Sequence, residues 1–327
     1  MTLAAAGYYL DSFLAPLAPV LKRIDVTDIW INRPGEVWIE SLGGGIERLA
    51  DPSLDEKLLE RLARQIAAHS SQGISRAQPL LAATLPDGSR VQIAAPPATR
   101  RGHAFAIRRH ISADLSLADW QDAGAFRDMT STSSDLERQR VFGPIAGEGA
   151  SRFLRDAVRA RRNILVAGGT STGKTTFLNS LLAEIPPDER LLLIEDTAEL
   201  QVSNDNAVGL IAARGELSEA QITAEDLLIA ALRMRPDRII LGELRGGEAF
   251  TFLRAVNTGH PGSMTTIHAD TPQRAIEQLA LLVLQAGSKL GRDDVRHYVR
   301  ESVDVFVQLE RIGGKRRVNK ILVSTGA

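Results

Sequence analysis

The stretch Gly168-Gly169-Thr170-Ser171-Thr172-Gly173-Lys174-Thr175 decides how the rest of the chain is read. It follows the apolar run Ile164-Leu165-Val166-Ala167 and precedes Phe177, Leu178, Leu181, Leu182 and Ile185, which recur at helical period. A buried strand, a glycine-bounded loop and a helix in that order make a nucleotide P-loop, in which successive N–H groups turn toward phosphates at a helix N-terminus. Glycines at both ends supply the dihedrals and the close approach. The expected phosphate contacts are Gly168, Gly169, Thr170, Ser171, Thr172, Gly173, Lys174, Thr175 and Thr176. Lys174 brings a point charge to the β/γ-phosphates and Thr175 a hydroxyl for Mg²⁺, so ATP and Mg²⁺ are the expected cofactors.

Working outward, 327 residues exceed one small core and predict two domains. A net charge of −1, from 39 basic and 40 acidic residues, leaves no overall field to hold a polyanion, and no sequence-specific nucleic-acid binding is expected. The absence of cysteine fits a reducing compartment and excludes disulfides and thiolate metal sites. No basic region precedes the apolar start, and Asp11, Pro16 and Pro19 interrupt it, so it is not read as an export signal. No run of about 18 apolar residues suggests a membrane span. Leu10, Phe13, Leu14 and Leu17 form one stripe of a short amphipathic helix, which either covers its own sheet or touches a membrane surface.

Alternation on both sides of Pro34-Gly35, through Ile29, Ile31, Val37 and Ile39, predicts a β-hairpin. Leu54, Leu58, Leu59, Leu62 and Ile66 predict a helix capped by Ser53. A second hairpin turns at Pro86-Asp87-Gly88, and Ala104 to Arg108 reads as one more strand. These elements make an α+β domain over residues 1–120, followed by a polar linker over 121–142. From 143 to 327 strands and helices alternate: Asn163–Ala167, the P-loop helix, Leu191–Glu195, Ala224–Met234, Arg238–Gly242, Gly246–Asn257 and Ser263–His268. The fold class is therefore α/β, an N-terminal α+β domain joined by a linker to a RecA-like P-loop domain.

Open α/β sheets gather ligands at the C-terminal ends of their strands, and three further stretches fall there. Glu195, Asp196 and Glu199 follow one buried strand; they repel one another unless a cation or water network holds them, or else they cap the next element. Arg235 to Glu248 resembles a Walker B strand ending in Glu243, a carboxylate placed for Mg²⁺ or its water, with Gly242 leaving room beside it. His260 and His268 flank the last strand and lack metal-ligand partners at the required spacing. His268 is read either as a neutral group that senses the γ-phosphate or orients a carboxylate, or as a hydrogen-bonded core residue. Arginines supply the remaining cations a phosphoryl-transfer site needs: Arg214, Arg233 and Arg235, and in the first domain Arg90, Arg108 and Arg109.

Taken together, these stretches resemble the traffic ATPases of the type II/type IV secretion superfamily, and among them the VirB-type ATPases of type IV secretion and conjugation. The likeness runs through Asp28-Ile29-Trp30-Ile31-Asn32-Arg33-Pro34-Gly35, Leu85 to Arg90, the P-loop, the acidic box, Gly242 to Ala249 and the histidine box. It implies ATP hydrolysis by a homo-hexameric ring that powers substrate translocation or pilus assembly. It also implies a cytoplasmic position at the inner membrane, with secretion-channel and coupling proteins as partners. Glu199 is then assigned to the attacking water and Glu243 to Mg²⁺, roles that can be exchanged, while Arg108, Arg90 and Arg214 bring cations to the nucleotide. Binding is expected to draw the two domains together. Type II secretion ATPases usually carry a four-cysteine zinc module absent here, and pilus retraction motors commonly show Gly-Glu-Met-Arg-Asp where Gly242-Glu243-Leu244-Arg245-Gly246 stands. A tight-adherence or type II pilus-assembly ATPase is the alternative. A helicase or recombinase lacks its basic channel and stacking aromatics here, and a small kinase rarely has half its chain ahead of the P-loop.

Overall fold

The computed structural model describes residues 10–42, 44–109, 115–127, 129–132, 149–212 and 222–324, which fall into two compact units divided after Arg109. The first unit is one antiparallel sheet of β1 (Val26–Ile31), β2 (Glu36–Ser41), β3 (Ile46–Ala50), β4 (Leu80–Thr84), β5 (Arg90–Ala94) and β6 (Ala104–Arg108), ordered β3-β2-β1-β6-β5-β4. Helix α1 (Glu56–His69) buries Leu59, Leu62, Ala63 and Ile66 in a core shared with Ile29, Ile31, Ile39, Val91 and Ile107. Asp55, not Ser53, caps α1: its carboxylate accepts from Leu58 N at 2.7 Å. Ser53 instead belongs to a turn held by Asp51. Leu10, Leu14, Leu17 and Val20 are buried in this same core, so the N-terminal stripe covers its own sheet rather than offering a free apolar face.

The second unit starts earlier than expected. Helix α2 (Leu117–Asp122), assigned by its polar surroundings to a domain end and linker, packs Leu117 and Trp120 into the second unit's core, as do Ala125 and Phe126. Ser116 and Asp119 form a capping box that starts this helix. Strand β7 (Thr130–Thr132) then pairs with the sheet edge, so the stretch expected as linker contributes the end of α2 and a strand.

The second sheet contains β8 (Ile164–Gly168), β9 (Leu191–Glu195), β10 (Ala207–Ile211), β11 (Arg238–Leu241), β12 (Met264–Ile267), β13 (Val305–Ile312) and β14 (Lys315–Val323), with β7 on the edge. Its order is β10-β9-β11-β12-β8-β13-β14-β7, and the first six are parallel. Every residue of β8, β9, β11 and β12 is buried, as expected for a sheet covered on both faces. Ile164, Val166, Leu193 and Ile240 face a core completed by α2, α3 (Gly149–Arg159) and α4 (Lys174–Leu182). Leu165, Ala167, Ile239 and Leu241 face the opposite one, completed by α5 (Ala224–Ala231), α6 (Glu248–Asn257), α7 (Pro272–Gln285) and α8 (Arg292–Ser302). Crossover helices on both faces force the parallel strands to end along one common edge.

Candidate phosphate-binding site

Gly168, Glu195, Gly242 and His268 stand at that edge, each at or just past the end of β8, β9, β11 or β12. From Gly168 the loop turns through left-handed residues at Ser171 (φ 59°) and Gly173 (φ 90°) into α4. Such alternation aims consecutive N–H groups into one concavity. Gly168 has no room for a side chain, since a Cβ there would stand 2.4 Å from Thr172 Oγ1 and 3.2 Å from the Leu309 carbonyl. Gly173 caps α4 without a side-chain bond, which leaves the first-turn N–H groups for a ligand. Lys174 folds back, its Nζ donating to the carbonyls of Gly168 and Gly169 at 3.0 and 3.1 Å, and lies 3.3 Å from His268 Nδ1.

The acidic box divides its labour. Glu195 Oε1 accepts from Glu199 N and Leu200 N, both at 2.7 Å, so it closes the turn behind its own strand. Asp196 is balanced by Arg245, whose Nη1 is 3.3 Å away. Glu199 is held by its backbone: Asn179 of α4 donates to its carbonyl at 3.0 Å and accepts from Gln201 N at 3.1 Å. Glu243 is mostly buried and its Oε2 is clamped by Arg245. His268 Nε2 lies 2.9 Å from Glu243 Oε1, within ion-pair distance but outside hydrogen-bond geometry, and Oε1 is buried without a hydrogen bond. The Glu243 turn is set from two sides, by Thr266 Oγ1 donating to the Gly242 carbonyl at 2.7 Å and by Glu248 accepting from Arg245 N and Gly246 N. The space beside Gly242 belongs to Glu195, whose Cγ would be 3.6 Å from a Cβ at that glycine.

Other expected residues lie elsewhere. His260 precedes β12, at the opposite end from His268, where its ring meets the Ala255 carbonyl and its own carbonyl accepts from Ser263. Arg233 and Arg235 precede β11 and so stand at the far edge from Glu243. Arg108 of the first unit is paired with Asp28 at 3.0 Å and sits directly across the ladder from Arg90. Arg214 lies outside the described residues. Among the described residues no cluster of three or more His, Cys, Asp or Glu side chains forms a ready metal cage.

One cation at the loop was missed. Arg316 of β14 lays its stem on the P-loop, so that a Cβ at Gly173 would meet its Cδ at 2.8 Å. Burial, and then the like charge of Arg311 directly opposite on β13, push Arg316 below the ordinary arginine value. Alternation around Gly313-Gly314 was the available signal, because it marks a hairpin whose first arm, β13, pairs with the P-loop strand and whose second arm, β14, pairs with β13.

The model of the family described as Type II/IV secretion system protein matches residues 12–312. The chain belongs to that family. A type IV secretion system protein VirB11 of Bartonella henselae is 40% identical over 324 residues, covering 94% of this chain and 91% of that protein. The crystal structure of the VirB11 ATPase from the Brucella suis type IV secretion system, in complex with sulphate, superposes with a TM-score of 0.53 at 36% identity, covering 98% and 96% of the two chains. The pilus retraction motor PilT with bound ADP superposes at 0.60 but is 18% identical, and over 96% of this secretion-family chain and 83% of that one it shares the fold.

Proposed function

We infer that this chain is a Mg²⁺-dependent ATPase whose hydrolysis powers a type IV secretion machine. One observation carries the reading: an uncapped P-loop helix meets, on one sheet edge, a buried Glu243 oxygen that has no hydrogen bond. A mostly buried carboxylate at the strand end, held by Arg245 on one oxygen and within ion-pair distance of His268 on the other, fits a cation or its water shell beside an anion-binding loop, so the residues present suit the cofactor. Bound there, Mg²⁺ would neutralise charge on the β/γ-phosphates. The loop from Gly168 to Gly173 and the first-turn N–H groups of α4, with Thr175 and Thr176, take the phosphates. Lys174 exchanges its two loop carbonyls for the γ-phosphate. Thr175 and Glu243 hold Mg²⁺, Glu199 positions or deprotonates the attacking water, and His268 orients Glu243 while sensing the γ-phosphate.

The named relatives support the secretion role. Assembly as a homo-hexamer, cationic contacts to ATP from Arg90, Arg108 and Arg214, partnership with channel and coupling proteins and a peripheral position at the inner membrane belong to the same proposal and rest on family resemblance. Among the described residues no helix is long and apolar enough to cross a membrane. The test is Lys174→Ala: turnover of ATP is expected to vanish while the circular dichroism spectrum stays that of the parent. Undiminished hydrolysis by the purified variant overturns the reading.

A further inference from the structure

Gln308 is a polar side chain among the buried apolar residues Val305, Phe306, Val307 and Leu309 of β13, 2% exposed, and its amide does two things. Its Nε2 donates to the Ala269 carbonyl at 3.0 Å and to the Leu309 carbonyl at 3.0 Å. Its Oε1 is buried and accepts no hydrogen bond. Two facing carbonyls fix which end of the amide is nitrogen, because the flipped orientation would set three oxygens against one another. A buried acceptor left open is costly, so an apolar side chain of the same shape would avoid a penalty that glutamine incurs.

What the amide spans explains its place. Gln308 is in register with Ala167 of β8, and Ala167 with Ile267 of β12, so the three form one row across the sheet. β13 and β12 are separated by β8 and therefore by about 10 Å. Ala167, the smallest side chain of the row, leaves a path over β8 for the Gln308 amide to reach the turn just beyond Ile267. That turn begins with His268, and the strand crossed is the one that opens into the P-loop.

We propose that Gln308 is a positioning residue for hydrolysis, a strut that ties the His268 turn to β13 across the P-loop strand and thereby keeps His268 against Glu243 and Lys174. This rests on the reading of His268 as a phosphate-site group. Both Gln308 hydrogen bonds run to backbone carbonyls, of Ala269 and Leu309, so losing the strut displaces His268 without removing a residue assigned to the phosphates.

Steady-state ATP turnover by the full chain tests it, using Gln308→Met, Gln308→Glu, His268→Ala and the Gln308→Met/His268→Ala double variant. Gln308→Met keeps the volume and loses both hydrogen bonds. It is expected to lower kcat by about 10-fold or more, with KM for ATP within about 2-fold, the pattern of a group misplaced in the transition state alone. In the His268→Ala background the same substitution is expected to change kcat by less than about 2-fold, since the group it positions is gone. Gln308→Glu keeps the shape and can donate to Ala269 only when protonated, so relative to the parent its kcat should rise as pH falls from about 8 to about 6. Should Gln308→Met fail to fold, that pH profile decides alone, a flat ratio to the parent overturning the proposal. A wild-type kcat in folded Gln308→Met beside a loss in His268→Ala overturns the strut and spares the His268 reading. A wild-type kcat in His268→Ala overturns both. Equal losses from Gln308→Met in both backgrounds mean a general structural role and overturn it too.

Discussion

Replacing Arg238 by Met measures how the strand that carries Glu243 is anchored. Arg238 is fully buried at the base of β11, where its guanidinium donates to both Glu189 oxygens at 2.6 and 2.8 Å and to the Val158 carbonyl at 2.7 Å. Met replaces the stem, so the loss is mainly electrostatic: Glu189, 6% exposed, keeps its charge without its fork. Removing one partner of a buried pair costs about 3–5 kcal/mol. Arg161 Nη2 stays 3.4 Å from Glu189 Oε2, and from its exposed position offsets no more than about 1 kcal/mol. The net loss is then about 2–4 kcal/mol, which at an m-value of about 2 kcal/mol/M lowers the urea midpoint by about 1–2 M. Substituting Glu189 by Leu in the same molecule removes the stranded charge and should restore at least about 1 kcal/mol of that loss. Urea unfolding of the full chain, followed by circular dichroism and fluorescence, reads both numbers. A single-variant shift below about 0.3 M, or a double variant less stable than Arg238→Met, refutes the ion pair as the anchor.

Glu199→Gln should still bind ATP but hydrolyse it slowly, whereas Glu243→Gln should weaken the response of the rate to Mg²⁺; titrating Mg²⁺ against turnover in both separates the two roles, and the opposite pattern exchanges them. Arg316→Ala removes a cation lying on Gly173 and is expected to weaken ATP binding by about 5- to 10-fold, read by fluorescent-nucleotide titration, with an unchanged affinity counting against any ligand contact. In the first unit, Arg33, then the Trp38 indole N–H and Arg48, hold the Glu36 carboxyl down from its ordinary 4.5 to about 2. Its folded value is depressed, so its stabilisation is complete above about pH 4.5 and is lost as pH falls through about 2; thermal melts should decline in that window, and Glu36→Gln should flatten part of the decline.

The P-loop and the strand ends around it were legible because both are local patterns: glycines bounding a loop, and apolar runs ending in carboxylates. Partnerships were not, because they join distant residues. Nothing near Asp196 announces Arg245, 49 residues on, and nothing near Glu195 shows that its carboxylate closes a turn instead of facing a cation. Trp120 and Phe126 were hidden for a different reason: they sit among Asp122, Gly124 and a serine-threonine tract, so composition outweighed spacing, and Trp120 read as the end of the first domain and Phe126 as linker. The Ser53 cap failed by two residues, within the ordinary slippage of helix starts, because Asp51 draws Ser53 into its own turn. The β13–β14 hairpin lies beyond the histidine box and carries no recognisable nucleotide motif, so nothing local ties Gln308 or Arg316 to the P-loop.

Trp120 gives the molecule a mechanical property. Its indole donates to Ser180 of α4 at 2.9 Å and stands edge-on to Phe177 at 5.1 Å, while Ser180 donates to the Leu115 carbonyl. Leu115 and α2 are thus bolted to the helix whose first turn follows the P-loop. A tilt of α4 therefore carries α2 with it, because one indole and one hydroxyl lock the two helices at a single joint.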